Sequence, residues 1–466
     1  MSILWTERSA AQATGGKTQG KWNATGVAID SRTIKPGELF VAIKGENFDG
    51  HDYVEAAFKN GAVAAVVKDS GFGIQDSGGN YVSVPDTLKA LEDLGRYARS
   101  RSAAHIIGVT GSVGKTSTKE MLRLALAVHG NTYASVGNLN NHIGTPLNLA
   151  NLPPEAQFAV FEMGMNHAGE IAHLTKMVQP HVAAITNVEA VHMEFFGTIE
   201  KIAQAKAEIF EGVEAGGTAI INRDSPMYPL LVTRAKERGL KVASFGAHVK
   251  SDCRLVDYGA GISGCSVEAN IHGATLNYTL GAVGRHWALT SLLVLAVAHA
   301  LGLDAAKTSR SLSRFTELAG RGRVTTLAVG DGELFLIDDS YNASPAAMRA
   351  AFLKTAELWE ASGRAGRKIA ALGNMLELGD ESPSLHAGLA ADLKGFDGVF
   401  TAGELMKHLH DALPPKLRAG HVAKAMELLP LLQKELRAGD IVLVKGSHGS
   451  KIYELAKALM ENKNAV

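Results

Sequence analysis

The stretch IIGVTGSVGKTSTKEML, residues 106–122, decides the fold. A β-branched apolar lead-in runs into glycines, a lysine and several hydroxyl side chains, then becomes an amphipathic helix. A glycine-rich turn between strand and helix aims backbone N–H groups and the helix dipole at an anion. In a phosphate loop the lysine reaches the outer phosphates and the next hydroxyl ligates magnesium, which assigns those places to Lys115 and Thr116. Thr110, Gly111, Ser112, Val113 and Gly114 are then expected to bind a nucleotide triphosphate. The generic spacing fails by one residue, because Val109 stands where the first glycine belongs. The competing reading is an ordinary glycine turn capped by Thr116 or Ser117.

Outward from this loop, strand-like runs (HIIGVT, QFAVFEMG, VAAIT, GTAIIN) alternate with helical patterns, the signature of a parallel sheet covered on both faces. A later run, CRLVDYGAGISGCSVEANIHGATLNYTL, reads as a β-meander, and LAGRGR (318–323) reads as a hinge. Beyond it ELFLIDD, KIAALG, GVFTAG and DIVLVKG are strands of a second parallel α/β unit. Before the loop, GELFVAIKG, AVAAVV and YVSVP with the helix TLKALEDLGRYARSRSA form a small α/β unit. The predicted fold class is α/β in three domains. These are a small N-terminal α/β domain over 1–103, a central P-loop mononucleotide-binding parallel-sheet domain over 104–319, and a C-terminal Rossmann-like domain over 320–466. At roughly 150 residues per domain, a 466-residue chain fits three.

Charge is balanced at 47 basic and 47 acidic residues, so no nucleic-acid partner is expected. Only Cys253 and Cys265 are present, which excludes a disulfide framework and a four-cysteine zinc site and fits a reducing compartment, the cytoplasm. The N-terminus lacks the basic and long apolar regions of a secretory signal, so export is not expected. The most apolar run, WALTSLLVLAVAHAL (287–301), is short for a bilayer and reads as a buried helix, so no stable membrane insertion is expected. The chain is expected to act as a monomer.

Other candidates lie at strand ends. Glu162 closes the strand QFAVFE, where open α/β sheets put ligand-facing groups, and a carboxylate there can hold magnesium; the alternative is a helix cap. His192 follows the strand ending at Thr186, and Lys206 sits on the next helix; spacing alone promotes neither above a structural histidine or a solvated lysine.

Several motifs in order, GVTGSVGKTSTKE, GNLNNHIGTP (137–146), FEMGMNHAGEI (161–171), ITNVEAVHMEFFGTIEKIAQAKAEI (185–209), GRHWALTSLLVLA (284–296), IDDSYNASPAAMRAA (337–351) and LGNMLELGDES (372–382), resemble the Mur ligases of peptidoglycan synthesis. IDSRTIKPGELFVAIKGENFDGHDY (29–53) looks like their uridine-nucleotide-binding domain. The resemblance implies an ATP-dependent ligase of cell-wall biogenesis, joining D-alanyl-D-alanine to UDP-N-acetylmuramoyl-tripeptide through an acyl phosphate. It also implies that Thr116 and Glu162 hold one Mg2+, that His192 ligates a second, and that Lys206 is carbamylated, turning a cation into an anion beside the metal. It further implies nucleotide or substrate contacts at Asn138 and Asn141, and ATP contacts at Arg323 and Asp339, with Arg321 competing for the register of Arg323. Ser31, Arg32, Lys44, Asp49 and His51 become uridine-nucleotide contacts, each with a turn or cap role as its alternative. Tyr341 and Asn342, with the 372–379 loop, are expected to border the acceptor dipeptide.

The chain departs from the family where Trp287 and Thr290 replace frequent asparagines, so a usual adenine contact is absent or replaced; His448 and Ile452 stand for frequent arginine and methionine. The last domain lacks the Asp-Asn-Pro-Arg segment of the sister ligases that add diaminopimelate. A folylpolyglutamate synthase is the other rival within the fold, and a nucleotide-driven switch is the rival from another class.

Overall fold

The computed structural model describes residues 2–69, 79–190, 193–363 and 366–461. Three sheets follow one another along the chain. The first has five strands in the order Lys17–Gln19, Tyr81–Val84, Ala64–Lys68, Glu38–Val41, Gly26–Ala28, all parallel except the first pair. A short antiparallel pair, Trp5–Thr6 with Asn23–Ala24, lies beside it.

The central sheet has nine strands. Its order is Ala274–Leu280, Cys265–Ile271, Cys253–Ala260, Lys241–Gly246, Thr218–Asn222, Val182–Ile185, His105–Thr110, Phe158–Glu162, Thr132–Ala134. The first three form the expected meander, joined antiparallel; the others are parallel. The period of two in a strand sends Ile107 and Val109 to one face and Ile106 to the other, and each face is roofed by helices. The helices Lys115–Ala127 and Arg285–Ala300 cover the first face; Glu170–Val178, Ile199–Ala207 and Tyr228–Glu237 cover the second. Arg285–Ala300 is apolar nearly all round because it lies between the sheet and other helices.

The third sheet has six strands in the order Arg323–Val329, Gly332–Asp339, Ile441–Lys445, Lys368–Gly373, Gly398–Ala402, Arg418–Val422. Its first pair is antiparallel and the rest parallel, which makes it Rossmann-like with an antiparallel edge. The edge strand Arg418–Val422 lay outside the expected set, because its polar residues break the apolar pattern of a buried strand.

The N-terminal and central units are tightly joined. Helix Thr87–Ser100 packs on Gly144–Ala150, with Gly95 against Pro146. Trp5 Nε1 donates to Ala150 O at 2.9 Å, and the Asn151 amide pairs with both N–H and C=O of Val27 at 2.8 and 2.9 Å, in the manner of a neighbouring strand.

Candidate active site

The carboxyl ends of the central strands meet at one edge. Register pairs Glu162 with Val109 and Ile185 with Thr110, so the phosphate loop, Glu162 and Thr186 emerge side by side. There a cleft of about 450 Å³ opens between the central and C-terminal sheets. Its central wall carries Gly114, Lys115, Thr116, Glu162 and Asn138; its C-terminal wall carries Arg321, Asp339, Tyr341 and Asn342.

The loop is held by its own contacts. Thr110 Oγ1 donates to Met163 O at 2.8 Å, and a Cβ on Gly111 would overlap Thr186 Oγ1. Thr186 Oγ1 donates to Val113 O at 2.6 Å, while Ser112 Oγ bonds the backbone of Glu189 at 3.1 and 3.0 Å. Gly114, at φ +83°, occupies a left-handed turn open to most residues only at a cost, and starts helix Lys115–Ala127. Among the described residues no side chain caps that helix, which leaves its first N–H groups to face an anion. Lys115 Nζ folds back onto Gly111 O at 2.8 Å. Burial lowers the Lys115 pKa, as does Arg321, while Glu162 raises it.

Glu162 is buried, its Oε1 accepting from Asn140 Nδ2 at 2.7 Å and its Oε2 lacking any partner among the described residues. An orphaned carboxylate oxygen in a cleft that Thr116 also lines makes a hard-oxygen donor set that suits magnesium. Lys206 is buried on Ile199–Ala207, its pKa lowered well below the ordinary lysine value by burial and by Lys115. Burial of this kind favours a neutral amine. His192 lies outside the described residues.

Across the cleft Asp339 ends one strand and Lys445 ends its parallel neighbour, paired in register and joined at 2.6 Å. Burial raises the Asp339 pKa against the pull of Lys445 and Lys354. Tyr341 and Asn342 stand in this same cleft, and Lys445 Nζ donates to Asn342 O at 2.9 Å.

Two expected contacts do not line this cleft, Arg323 and Asn141. Arg323 is exposed at the start of the edge strand, paired with Asp338 and not among the cleft's lining residues, whereas Arg321 is. Asn141 is an exposed cap: its Oδ1 accepts the N–H groups of Ile143 and Gly144 at 3.2 and 2.9 Å, and Asn140 is the residue that turns inward to Glu162. Lys445 was missed, although a lone charge closing the apolar run DIVLVK was its signal. Trp287 and Thr290 do line the cleft, at the start of Arg285–Ala300, and His286 beside them is pushed down to about 3 by burial and by Lys354 and Lys445.

The five N-terminal candidates engage in local contacts. Arg32 chelates Asp30 at 2.9 and 2.7 Å, and Ser31 O accepts from Asn60 Nδ2 at 2.7 Å. Lys44 and Asp49 bridge through their backbones, and Asp49 Oδ1 caps the turn Gly50–Tyr53 by accepting the His51 N–H at 3.0 Å. His51 Nδ1 lies 2.6 Å from Asp49 Oδ1, and its Nε2 accepts the Lys68 N–H at 3.0 Å. Lys44, Asp49 and His51 are thereby brought together.

Family models cover the chain in three parts: "Mur ligase family, catalytic domain" over 23–99, "Mur ligase middle domain" over 109–298, and "Mur ligase, glutamate ligase domain" over 322–448. The chain belongs to the Mur ligase family. Among its relatives is the UDP-N-acetylmuramoyl-tripeptide--D-alanyl-D-alanine ligase of Rickettsia prowazekii (strain Madrid E), 33% identical over 97% of this chain and 98% of that one. The crystal structure of MurF from Acinetobacter baumannii superposes with a TM-score of 0.85 at 31% identity, covering 98% of this chain and 99% of the other. MurF ligase from Thermotoga maritima, solved in complex with ADP, gives 0.79 at 27% identity, covering 94% and 97%.

Proposed function

We propose that this chain is an ATP-dependent ligase that joins D-alanyl-D-alanine to UDP-N-acetylmuramoyl-tripeptide, a cytoplasmic step of peptidoglycan synthesis. The observation that carries the reading is the cleft in which Lys115 and Thr116 of a phosphate loop meet a buried carboxylate, in a chain matched along nearly its whole length by relatives named for this reaction. The domain limits 1–103, 104–319 and 320–466 belong to the same reading, supported by sheet membership.

A carboxylate is a poor electrophile, so it must be activated first. A carboxylate oxygen of the tripeptide attacks the terminal phosphorus of ATP, the bridging bond breaks and ADP leaves. The dipeptide amine then attacks the acyl carbon, and phosphate departs with the former carboxylate oxygen while the amine proton goes to solvent. In this scheme Lys115 and Arg321 balance charge on the transferring group and hold it in line. Mg2+ would be held by Thr116 and Glu162, with His192 and a carbamylated Lys206, and supplies charge neutralisation on the phosphoryl oxygens. Asp339 serves the nucleotide from the C-terminal side, Asn138 and Tyr341 close the cleft between them, and Asn342 steadies Lys445. Ser31, Arg32, Lys44, Asp49 and His51 remain the assignment for the uridine nucleotide. Closing the C-terminal domain excludes water, which otherwise hydrolyses an acyl phosphate.

The test supplies ATP, magnesium, D-alanyl-D-alanine and UDP-tripeptides with diaminopimelate or lysine, and weighs the products. A pentapeptide product with phosphate release dependent on both substrates is expected; phosphate release indifferent to the dipeptide contradicts the reading and favours a nucleotide-driven switch.

A further inference from the structure

A lysine on the core face of a helix is exceptional, because its ammonium must be paired in place of water. Lys354, on helix Pro345–Ser362, is 2% exposed and shares that face with Met348, Ala351, Thr355 and Leu358. Its Nζ donates to Glu317 Oε1 at 2.8 Å and to Gly322 O at 2.5 Å. Glu317 Oε1 also accepts the N–H of Val283, close before helix Arg285–Ala300, so the carboxylate is fixed to the central domain.

Glu317 and Gly322 bracket the segment that joins the central and C-terminal sheets, and Arg321 lies between them. Arg321 is flanked by Gly320 at φ +72° and Gly322 at φ +88°, a backbone with little stiffness of its own. Asp338 holds one side, its Oδ2 accepting the Gly320 N–H and its carbonyl the Gly322 N–H, each at 2.8 Å. Lys354 holds the other. The guanidinium so delivered lies 4.1 Å over the Tyr341 ring and borders the cleft with Lys115.

We propose that Lys354 is a positioning residue for phosphoryl transfer: by gripping the Glu317 carboxylate and the Gly322 carbonyl it sets the linker so that Arg321 faces the triphosphate. This rests on the reading of the cleft as the ATP site. Lys354 also borders the cleft, so the competing account is direct contact with the nucleotide.

A double-mutant cycle separates the two. Lys354→Met combined with Glu317→Gln leaves no buried charge unpaired, which protects folding; Lys354→Arg is the conservative control. Affinity for the non-hydrolysable imido analogue of ATP, with magnesium, is measured by calorimetry in the native and Arg321→Ala backgrounds. Expected is a loss of about tenfold in the native background that shrinks below about twofold once Arg321 is absent, with Lys354→Arg close to native. An equal loss in both backgrounds, or no loss, overturns the proposal. If Arg321→Ala alone binds the analogue as tightly as the native chain, the proposal falls with the assignment of Arg321, while the ligase reading still stands or falls by its products.

Discussion

Asn138 Nδ2 donates to the phenol of Tyr341 at 2.8 Å, a bond that spans the cleft from the loop after strand Thr132–Ala134 to the loop after strand Gly332–Asp339. Its two ends belong to different domains, and Tyr341 also carries Arg321 over its ring. The contact thus ties the approach of the C-terminal domain to the position of a cationic side chain.

Tyr341→Phe keeps the ring under Arg321 and removes only this bond. A hydrogen bond near solvent is worth about 1 kcal/mol, so the KM for ATP should rise roughly fivefold with the melting temperature unchanged. Steady-state kinetics beside thermal melting checks this, and Asn138→Ala should match it.

Glu162→Gln retains an acceptor for Asn140 but removes the charge. The magnesium concentration for half-maximal rate should rise by about tenfold or more, while binding of the UDP-tripeptide is unchanged. Asn140→Ala should give a smaller rise in the same magnesium titration, since it only orients the carboxylate.

Lys206 bears on carbon dioxide. Burial, which lowers the Lys206 pKa, favours the neutral amine, the form able to add CO2 and release a proton. Activity should fall when CO2 and bicarbonate are stripped and return when bicarbonate is added; acid should remove the carbamate by protonating the amine. Gentle mass spectrometry should show the mass of one added CO2 that Lys206→Ala lacks.

His286 bears on stability. Its native pKa, pushed to about 3, lies below the ordinary 6.5, so the unfolded chain binds the extra proton first. The stabilisation is present above about pH 6.5 and lost as pH falls toward 3. By about pH 5 the loss should be on the order of 1 kcal/mol, since part of the ring faces the open cleft. Melting curves across this range check it, and His286→Gln should flatten the slope.

The phosphate loop and the strand-end carboxylate were legible because both are local patterns: an apolar run, then glycines or a charge. The three-sheet order followed from alternation of strands and helices for the same reason. Asn140 and Arg321 were not separable from their neighbours, because GNLNN and GRGR offer the same side chains one or two places apart and only the turn and strand register choose. Lys354 was invisible, since a helical lysine is usually solvated and its buried partners lie 32 and 37 positions away. The docking of Asn151 on Val27 is equally nonlocal, 124 positions apart.

The most direct measurement follows oxygen. With a heavy oxygen isotope in the terminal carboxylate of the UDP-tripeptide, one labelled atom should appear in the phosphate released as the dipeptide is joined. Phosphate free of the label, alongside normal product formation, would contradict transfer of the phosphoryl group from the Lys115 cleft to that carboxylate.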